Sequence, residues 1–335
     1  MAVQTERHVH RGTTRATGAM ARRGWSRYSD RTFYLFVAPW VLGFLGLTVV
    51  PLVYALLVSF TNFDGLSGRW HWIGLANYGE LAGDPETWAS LGRTLLFMAI
   101  AVPLGVSGGL GLAVLLNRRM RAVGLFRTIF YVPSVVPVVA SAVSWRLLFD
   151  RDAGLVNAVI ERVGGPVVTW LVDPTVFVVL VAMVLWGLGG GMIILLAGLQ
   201  GIPGELREAA AIDGANAWQT FRAVVLPLLT PVIFFQVITG IIVSLQTLVQ
   251  PLLLNPSGAL GGGGAGAGGT GSMPTSTDLY MVNVYEQFFA NDRFGYGSAL
   301  LWVLFAIVLL ITLVVVRSGR LWVFYEVDQS SSSSQ

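Results

Sequence analysis

Six long apolar stretches, separated by short polar segments, set the pattern of this sequence. Each is close to the length that an α-helix needs to cross a hydrocarbon core of about 30 Å, roughly 20 residues. Prolines interrupt several stretches, and transmembrane helices tolerate such breaks when neighbouring groups satisfy the freed carbonyls. The pattern therefore predicts an all-α membrane protein with six transmembrane helices. The predicted spans are residues 33–60, 91–116, 126–149, 176–199, 224–248 and 299–316.

The placement of arginine orients these spans. Seven arginines fall within the first 31 residues, and others lie in the loops after spans two and four and beyond the last span. The remaining loops carry most of the acidic residues. Because arginine-rich loops stay on the cytoplasmic side of a membrane, both termini and the loop at 201–223 are expected to be cytoplasmic.

The composition agrees with a chain that lies mostly in lipid. Hydrophobic residues make up 54% of the 335 residues, charged residues make up 12%, and the mean hydropathy is +0.69. A soluble domain usually carries about 25% charged residues, so this chain lacks the polar groups to cover a soluble surface. A multi-pass membrane protein is therefore expected.

Segments of biased composition mark the domain boundaries. A basic tail at 1–31 and a serine-rich tail at 323–335 flank the membrane domain at 32–322, and both tails are predicted to be disordered. The stretch at 256–274 is rich in glycine and contains a chance GxGxxG pattern. No strand precedes that pattern, so it is interpreted as part of a flexible external loop and not as a nucleotide-binding turn.

Few side chains of this chain could act in catalysis or bind a metal. There is no cysteine, and the three histidines, His8, His10 and His71, lie outside the apolar stretches. The spans contain no paired carboxylates and no metal-ligand cluster, so no catalytic residue, metal or cofactor is predicted. All 21 basic residues are arginine. A P-loop ATPase needs a lysine on the phosphates, so this chain is not expected to hydrolyse ATP, and no nucleic-acid partner is predicted.

The loop between spans four and five carries the clearest local signals. Pro203 favours the first turn of a helix, and Asp213-Gly214 predicts the end of that helix, since glycine is the usual left-handed cap. Asn216 is a typical N-cap for a second helix. A short alanine-rich helix at a membrane face suits docking into a groove on another protein, and it equally suits an ordinary amphipathic connector. These signals alone leave both readings open.

The same loop resembles a known signature. Its spacing, E-A-A-x-x-x-G-x(9)-(I/V)-x-L-P with valine at the aliphatic position, is similar to the EAA motif of ABC-importer permeases. In that family the loop forms a coupling helix that sits in a cleft of the ATPase subunit. The resemblance therefore implies an ATPase-coupling role for seven residues. They are Glu208, Ala209, Ala210, Asp213, Gly214, Leu226 and Pro227.

The resemblance extends over nearly the whole chain, to the maltose, lactose and glycerol-phosphate group of permeases. It implies a multi-pass protein of a bacterial cell membrane, with a type I importer permease (MetI-like) architecture and a pathway for a mono- or oligosaccharide. It also implies three kinds of partner besides the lipid bilayer: a second homologous permease, two ABC ATPase subunits and an extracytoplasmic solute-binding protein. The motifs that carry it lie at residues 38–40, 50–51, 59–61, 74–78, 124–128, 132–133, 145–149 and 197–200.

One segment departs from that group. Relatives often keep a short Gly-Gly-Pro turn after span five, whereas here Asn255-Pro256 leads into the glycine run. The external geometry of that loop is therefore not carried over from the family.

The spans themselves help to choose between classes of transporter. No Asp or Glu falls inside a predicted span, whereas ion-coupled carriers normally place ionisable residues in the membrane. This favours a neutral solute, moved by energy that another chain supplies. Two alternatives stay open: an ABC permease for another solute such as glycerol phosphate, and an autonomous facilitator or channel.

Span five carries a neutral polar stripe. Spacings of 4, 4, 3 and 3 residues place its members within about 120° of one helical face. The stripe suits a sugar pathway, although small and polar residues also simply pack helices together in lipid. Trp145 and Trp186 offer stacking faces for a sugar, with interfacial anchoring as the other interpretation. The stripe consists of Gln236, Gly240, Ser244, Thr247 and Gln250.

Overall fold

Helices make up most of the computed structural model. It describes residues 30–68, 70–118, 120–255 and 273–324. In these residues the β-structure is limited to one isolated β-bridge, between Thr61 and Trp72. The prediction of an all-α protein is therefore confirmed.

Three predicted segments fall almost wholly outside the described residues. They are the basic tail (1–31), the glycine-rich loop (256–274) and the C-terminal tail (323–335). Within the three segments the structure describes only residues 30–31, 273–274 and 323–324.

Fifteen α-helices form within the described residues, together with two π-helical turns and one 3₁₀ turn. The helices are α1 Asp30–Phe44, α2 Val50–Val58, α3 Ala76–Gly83, α4 Pro85–Leu116, α5 Val123–Val135, α6 Val138–Leu148, α7 Leu155–Arg162, α8 Thr175–Trp186, α9 Gly189–Gly201, α10 Gly204–Ile212, α11 Ala217–Thr220, α12 Leu226–Leu245, α13 Val249–Leu254, α14 Tyr280–Phe289 and α15 Phe294–Trp322. The π-helical turns are Leu45–Val49 and Phe221–Val225, and the 3₁₀ turn is Thr275–Thr277.

The first crossing is one uninterrupted helical run, Arg31–Val58, in which a π-helical turn joins α1 to α2. No residue in its most apolar window is buried within the chain. Phe36 and Leu47, for example, are 81% and 83% exposed. A helix that is apolar on all sides is suited to lipid, so this run has the character of a membrane span along its whole length.

Three further runs are long and apolar enough to cross a membrane: α4, α11 with α12, and α15. Two more crossings are bent pairs, in which α5 meets α6 at 98° and α8 meets α9 at 43°. The six predicted crossings are obtained when each bent pair counts as one.

The sharper bend has a local cause. Pro133 lies inside α5 without ending it, whereas Val136 is extended, with φ −66° and ψ 130°, directly before Pro137. A residue before proline avoids the helical region, and proline itself offers no N–H to a helix. The second helix of the pair therefore starts in a new direction after Pro137.

Helix α4 lies at the centre of residues 55–335, where it packs against α8, α9, α12 and α14. At one end of this bundle, Leu116, Leu199 and Leu229 are buried in a common apolar cluster beneath the 201–223 loop. We call this the loop end, which the predicted topology places in the cytoplasm. The opposite end, the far end, has its own cluster around Tyr280 and Leu300.

Charged side chains tie the far end together. Arg93 of α4 donates from Nε to the backbone oxygen of Asp278 at 2.8 Å and from Nη2 to its carboxylate at 2.9 Å, and it also pairs with Glu86. Asp173 accepts a hydrogen bond from the backbone N–H of Thr275 at 2.6 Å. Burial raises the pKa of the Asp278 carboxyl to about 7, against the opposing effect of the Arg93 charge.

Candidate functional site

The loop at the loop end folds as its local sequence predicts. Helix α10 begins directly after Pro203 and stops at Asp213, where Gly214 takes up φ +81°. The backbone N–H of Ala215 then donates to the carbonyl of Ala210 at 2.9 Å, the bond that closes a helix ending in a left-handed residue. The predicted helix stop at Asp213-Gly214 is confirmed.

The second helix of the loop is capped as expected. Asn216 accepts a hydrogen bond from the backbone N–H of Gln219 at 2.9 Å, and the Gln219 side chain accepts one from the backbone N–H of Asn216 at 2.8 Å. This reciprocal pair is a capping box. The chain then passes through the π-helical turn into α12, which starts at Leu226 with Pro227 in its first turn.

The seven predicted coupling residues divide into two groups. Five of them lie on the loop and are exposed or half-buried, as are all residues of α10. Leu226 and Pro227, by contrast, are half-buried members of α12 and lie beyond the turn. The exposed group consists of Glu208, Ala209, Asp213 and Gly214, with Ala210 half-buried beside them.

Large apolar side chains stand in solvent on this loop. Ile212 is 86% exposed, Trp218 is 67% exposed and Leu206 is 40% exposed. Trp218 stacks on Phe221 with 5.8 Å between ring centroids. Apolar groups that a short polar loop leaves open in this way indicate a contact surface, and the predicted topology places them outside the lipid.

A cavity of about 380 Å³ lies between α4, α9 and α12, with the end of α8 at its edge. Three members of the predicted stripe line it: Gln236, Gly240 and Ser244. The described residues around it include no ionisable side chain. The cavity thus offers hydrogen bonds in an apolar wall without fixed charge, which suits a neutral hydroxylated solute.

The polar groups of the cavity are held by the backbone. Gln236 donates from Nε2 to the carbonyl oxygen of Gly191 at 2.9 Å, joining α12 to α9. A Cβ at position 191 would lie 2.9 Å from that Nε2, so any larger residue there would displace the Gln236 amide from this position. Thr239 also lines the cavity and donates to the carbonyl of Phe235 at 2.9 Å. Sequence reasoning missed Gly191 and Thr239, since neither stands on the predicted stripe.

The prediction that all members of the stripe share one helical face is wrong. Helix α12 ends at Leu245, three residues before the predicted end of span five, and α13 starts only at Val249. Thr247 therefore lies in the break, where it is buried and donates to the carbonyl of Val243 at 3.1 Å. Gln250 belongs to α13, and neither residue lines this cavity. Their place in the pathway stays a prediction.

The two tryptophans considered for sugar stacking contact each other. The rings of Trp145 and Trp186 meet edge to face at 6.1 Å, and Trp145 stacks on Phe149 at 5.4 Å. One face of Trp145 is thereby covered by Phe149 within the chain, which is consistent with a packing role.

Comparison with known proteins decides the family. The family described as "Binding-protein-dependent transport system inner membrane component" matches residues 101–322. The chain belongs to this family. It is therefore an ABC-importer permease subunit, a multi-pass protein of the plasma membrane, and its relatives are transporter subunits and not enzymes.

Individual relatives span nearly the full chain. The permease is 35% identical over 318 residues to the probable ABC transporter permease protein YesP of Bacillus subtilis, covering 94% of this chain and 98% of that protein. It is 32% identical over 289 residues to the trehalose/maltose transport system permease protein MalF of Thermococcus litoralis, covering 86% and 93%.

A solved structure shares the fold. It is a chain of a bacterial alginate ABC transporter in complex with an alginate pentasaccharide-bound periplasmic protein. The TM-score is 0.76 at 19% identity, covering 89% of this permease and 97% of that chain. The type I importer architecture implied by the sequence is thus confirmed.

Proposed function

We propose that this permease subunit forms part of the pathway of an ATP-driven importer for a mono- or oligosaccharide. The neutral, hydrogen-bonding cavity at Gln236, Gly240 and Ser244 supports a sugar as the solute, because it offers polar contacts without a charge to neutralise. One relative is the permease of a trehalose/maltose transport system, which points to the same class of solute. A second, homologous permease supplies the other half of the pathway.

Energy reaches this subunit from two partner ATPase chains through the 201–223 loop. The observation that carries this proposal is the exposure of α10 and of the turn at Gly214, with Ile212 86% and Trp218 67% open to solvent. These residues surround the Glu208-Ala209-Ala210 signature. A partner surface that covers them removes apolar area from water, about 25 cal/mol for each Å².

A solute-binding protein delivers the sugar to the far end. The alginate transporter with the same fold is described in complex with a substrate-bound periplasmic protein. The far end also has a fixed shape onto which such a protein can dock, since Arg93, Asp173 and Asp278 hold its segments together.

The decisive experiment is affinity purification of the detergent-solubilised chain with its membrane partners. The test variant is Gly214→Asp, which places a charge on the proposed contact surface. Gly68→Asp is the matched control. Gly68 and Gly214 are both exposed, both have positive φ (+62° and +81°), and neither has an atom within 4 Å of an added Cβ. Gly68 lies at the far end, away from the proposed contact surface. The ATPase subunit is expected to co-purify with the native chain and with Gly68→Asp, and to be lost from Gly214→Asp.

Other results would redirect the assignment. If no ATPase accompanies the native chain, the coupling proposal fails and an autonomous facilitator becomes the better account. Retention of the ATPase by Gly214→Asp would show that this turn is not the contact surface. Uptake measured with the reconstituted importer then tests the solute: a sugar taken up only with ATP supports the proposal, and uptake of glycerol phosphate in its place contradicts it.

A further inference from the structure

Helix α10 packs against α11 and the π-helical turn Phe221–Val225 of its own loop, and little against the core of the bundle. None of its residues is buried. A cavity of about 960 Å³ lies under the loop, lined by Val114 of α4 on one side and by Ala211 and Phe221 of the loop on the other. The helix therefore does not rest on the apolar core of the bundle.

The connection to α9 is short but leaves the direction of α10 free. Only Ile202 and Pro203 separate the two helices. Ile202 is 9% exposed and belongs to the apolar cluster at the loop end, so the start of α10 is anchored there. A short tether of this kind fixes where a helix begins, and a second contact further along is needed to fix its angle.

Pro203 leaves one carbonyl of α9 without its usual donor. In a continuing helix, the carbonyl of Leu199 would accept from the N–H of residue 203, and proline has none. Leu199 is only 2% exposed, and a buried carbonyl without a partner is costly. Arg207 of α10 supplies the missing donor, since its Nη2 lies 2.8 Å from the oxygen of Leu199.

The guanidinium of Arg207 is partly enclosed, since the side chain is half-buried and lines the cavity under the loop. Its Nε is enclosed by protein and has no hydrogen-bond partner among the described residues. A positive charge beside the last carbonyls of a helix is favoured by the helix dipole, and a charged donor makes a stronger hydrogen bond than a neutral one. The bond therefore fastens α10, one turn beyond its start, to the end of α9.

We propose that Arg207 is a positioning residue, which fixes the direction of α10 against α9 so that a displacement of α10 is passed to span four. Its role in transport rests on the proposed function, whereas the effect on the α10 direction does not. Two experiments separate these parts.

The first experiment measures the direction of α10 in the full chain alone. The chain has no cysteine, so Ile194→Cys in α9 and Ile212→Cys in α10 can be spin-labelled without background, and both positions are exposed. The distance distribution between the labels, measured by pulsed electron resonance in nanodiscs, is expected to be narrow. Arg207→Gln should broaden it at least twofold, and Arg207→Lys, which keeps a charged donor, should largely restore it.

A matched control removes an arginine elsewhere at the loop end. Arg320 is exposed in the last turn of α15, so Arg320→Gln loses the same charge and should leave the distribution unchanged. A distribution for Arg207→Gln as narrow as that of the native chain overturns the proposal. Equal broadening in Arg320→Gln also overturns it, since general loss of charge would then be the cause.

The second experiment measures the solute imported per ATP hydrolysed by the complete importer in proteoliposomes. Arg207→Gln is expected to retain its ATPase subunit and to lower this ratio about tenfold, the size of a typical coupling between two sites. An unchanged ratio overturns the transmission role, and loss of the ATPase from this variant shows a docking residue and overturns it too. Failure of the proposed function is seen separately, as absence of an ATPase from the native chain, and the spin-label distances then still decide whether Arg207 fixes α10.

Discussion

Replacing Gly189 by alanine would drive a methyl group into the backbone of α5. A Cβ at this position would lie 2.0 Å from the carbonyl oxygen of Phe130 and 2.7 Å from the Cα of Tyr131. Both are backbone atoms, so no rotamer change can relieve the contact, and α5 and α9 must separate. Gly189 starts α9, which places this contact between the two bent crossings.

The magnitude follows from two opposing effects. Overpacking of a close contact costs typically about 1–3 kcal/mol, and the upper part of that range applies because the obstruction is backbone. Alanine in place of glycine in a helix contributes about 1 kcal/mol of stability in return. The net loss is therefore about 2 kcal/mol, which at roughly 2 °C for each kcal/mol in a large domain lowers the unfolding midpoint by about 4 °C.

The neighbouring glycine provides the control. At Gly190 the nearest atom to an added Cβ is the Cβ of Ser134, at 3.7 Å, an ordinary contact. Gly190→Ala should therefore leave the midpoint unchanged or raise it. The assay is thermal unfolding of the purified chain in detergent, followed by the fraction that stays monodisperse. Equal midpoints for the two variants would refute the reasoning, because they would show that α5 and α9 do not meet this closely.

Two further predictions concern the cavity and the far end. Gln236→Leu removes the hydrogen bond to Gly191, which contributes about 1–1.5 kcal/mol. Sugar uptake should fall about tenfold, the factor that corresponds to this energy, with the ATPase still co-purifying. Asp278 has a pKa raised from 3.8 to about 7 in the folded chain, so the folded state holds a proton that the unfolded state releases. The free energy of unfolding should therefore fall as pH rises from about 4 to 7 and level off above. Asp278→Asn should weaken the dependence of the unfolding midpoint on pH across that range.

Local signals explain why the loop at the loop end could be predicted residue by residue. Pro203, Gly214 and Asn216 each act within a few residues of themselves, through a missing N–H, a left-handed backbone or a side-chain cap. The structure places each of these features where the sequence predicts it.

The bends and the cavity could not be predicted in this way. Pro133 and Pro137 look alike in the sequence, yet only the second ends a helix. The end of α12 at Leu245 carries no glycine or proline signal, so periodicity extended the stripe too far. The bond between Gln236 and Gly191 joins residues 45 positions apart, and hydrophobic periodicity contains no information on such a contact.

The cavity and the loop are linked by the two helices that share them. Gly191 lies ten residues before Gly201, where α9 ends at the loop, and Gln236 lies ten residues after Leu226, where α12 leaves it. At 1.5 Å per residue, both are about 15 Å from the loop. The Gln236–Gly191 bond therefore joins the two helices at equal depth, and on the proposed function a displacement of the loop is expected to reach both cavity walls. The described residues that line the cavity include no ionisable side chain, whereas ion-coupled carriers normally place such residues in the membrane. On the proposed function, the energy is therefore expected to arrive along these helices.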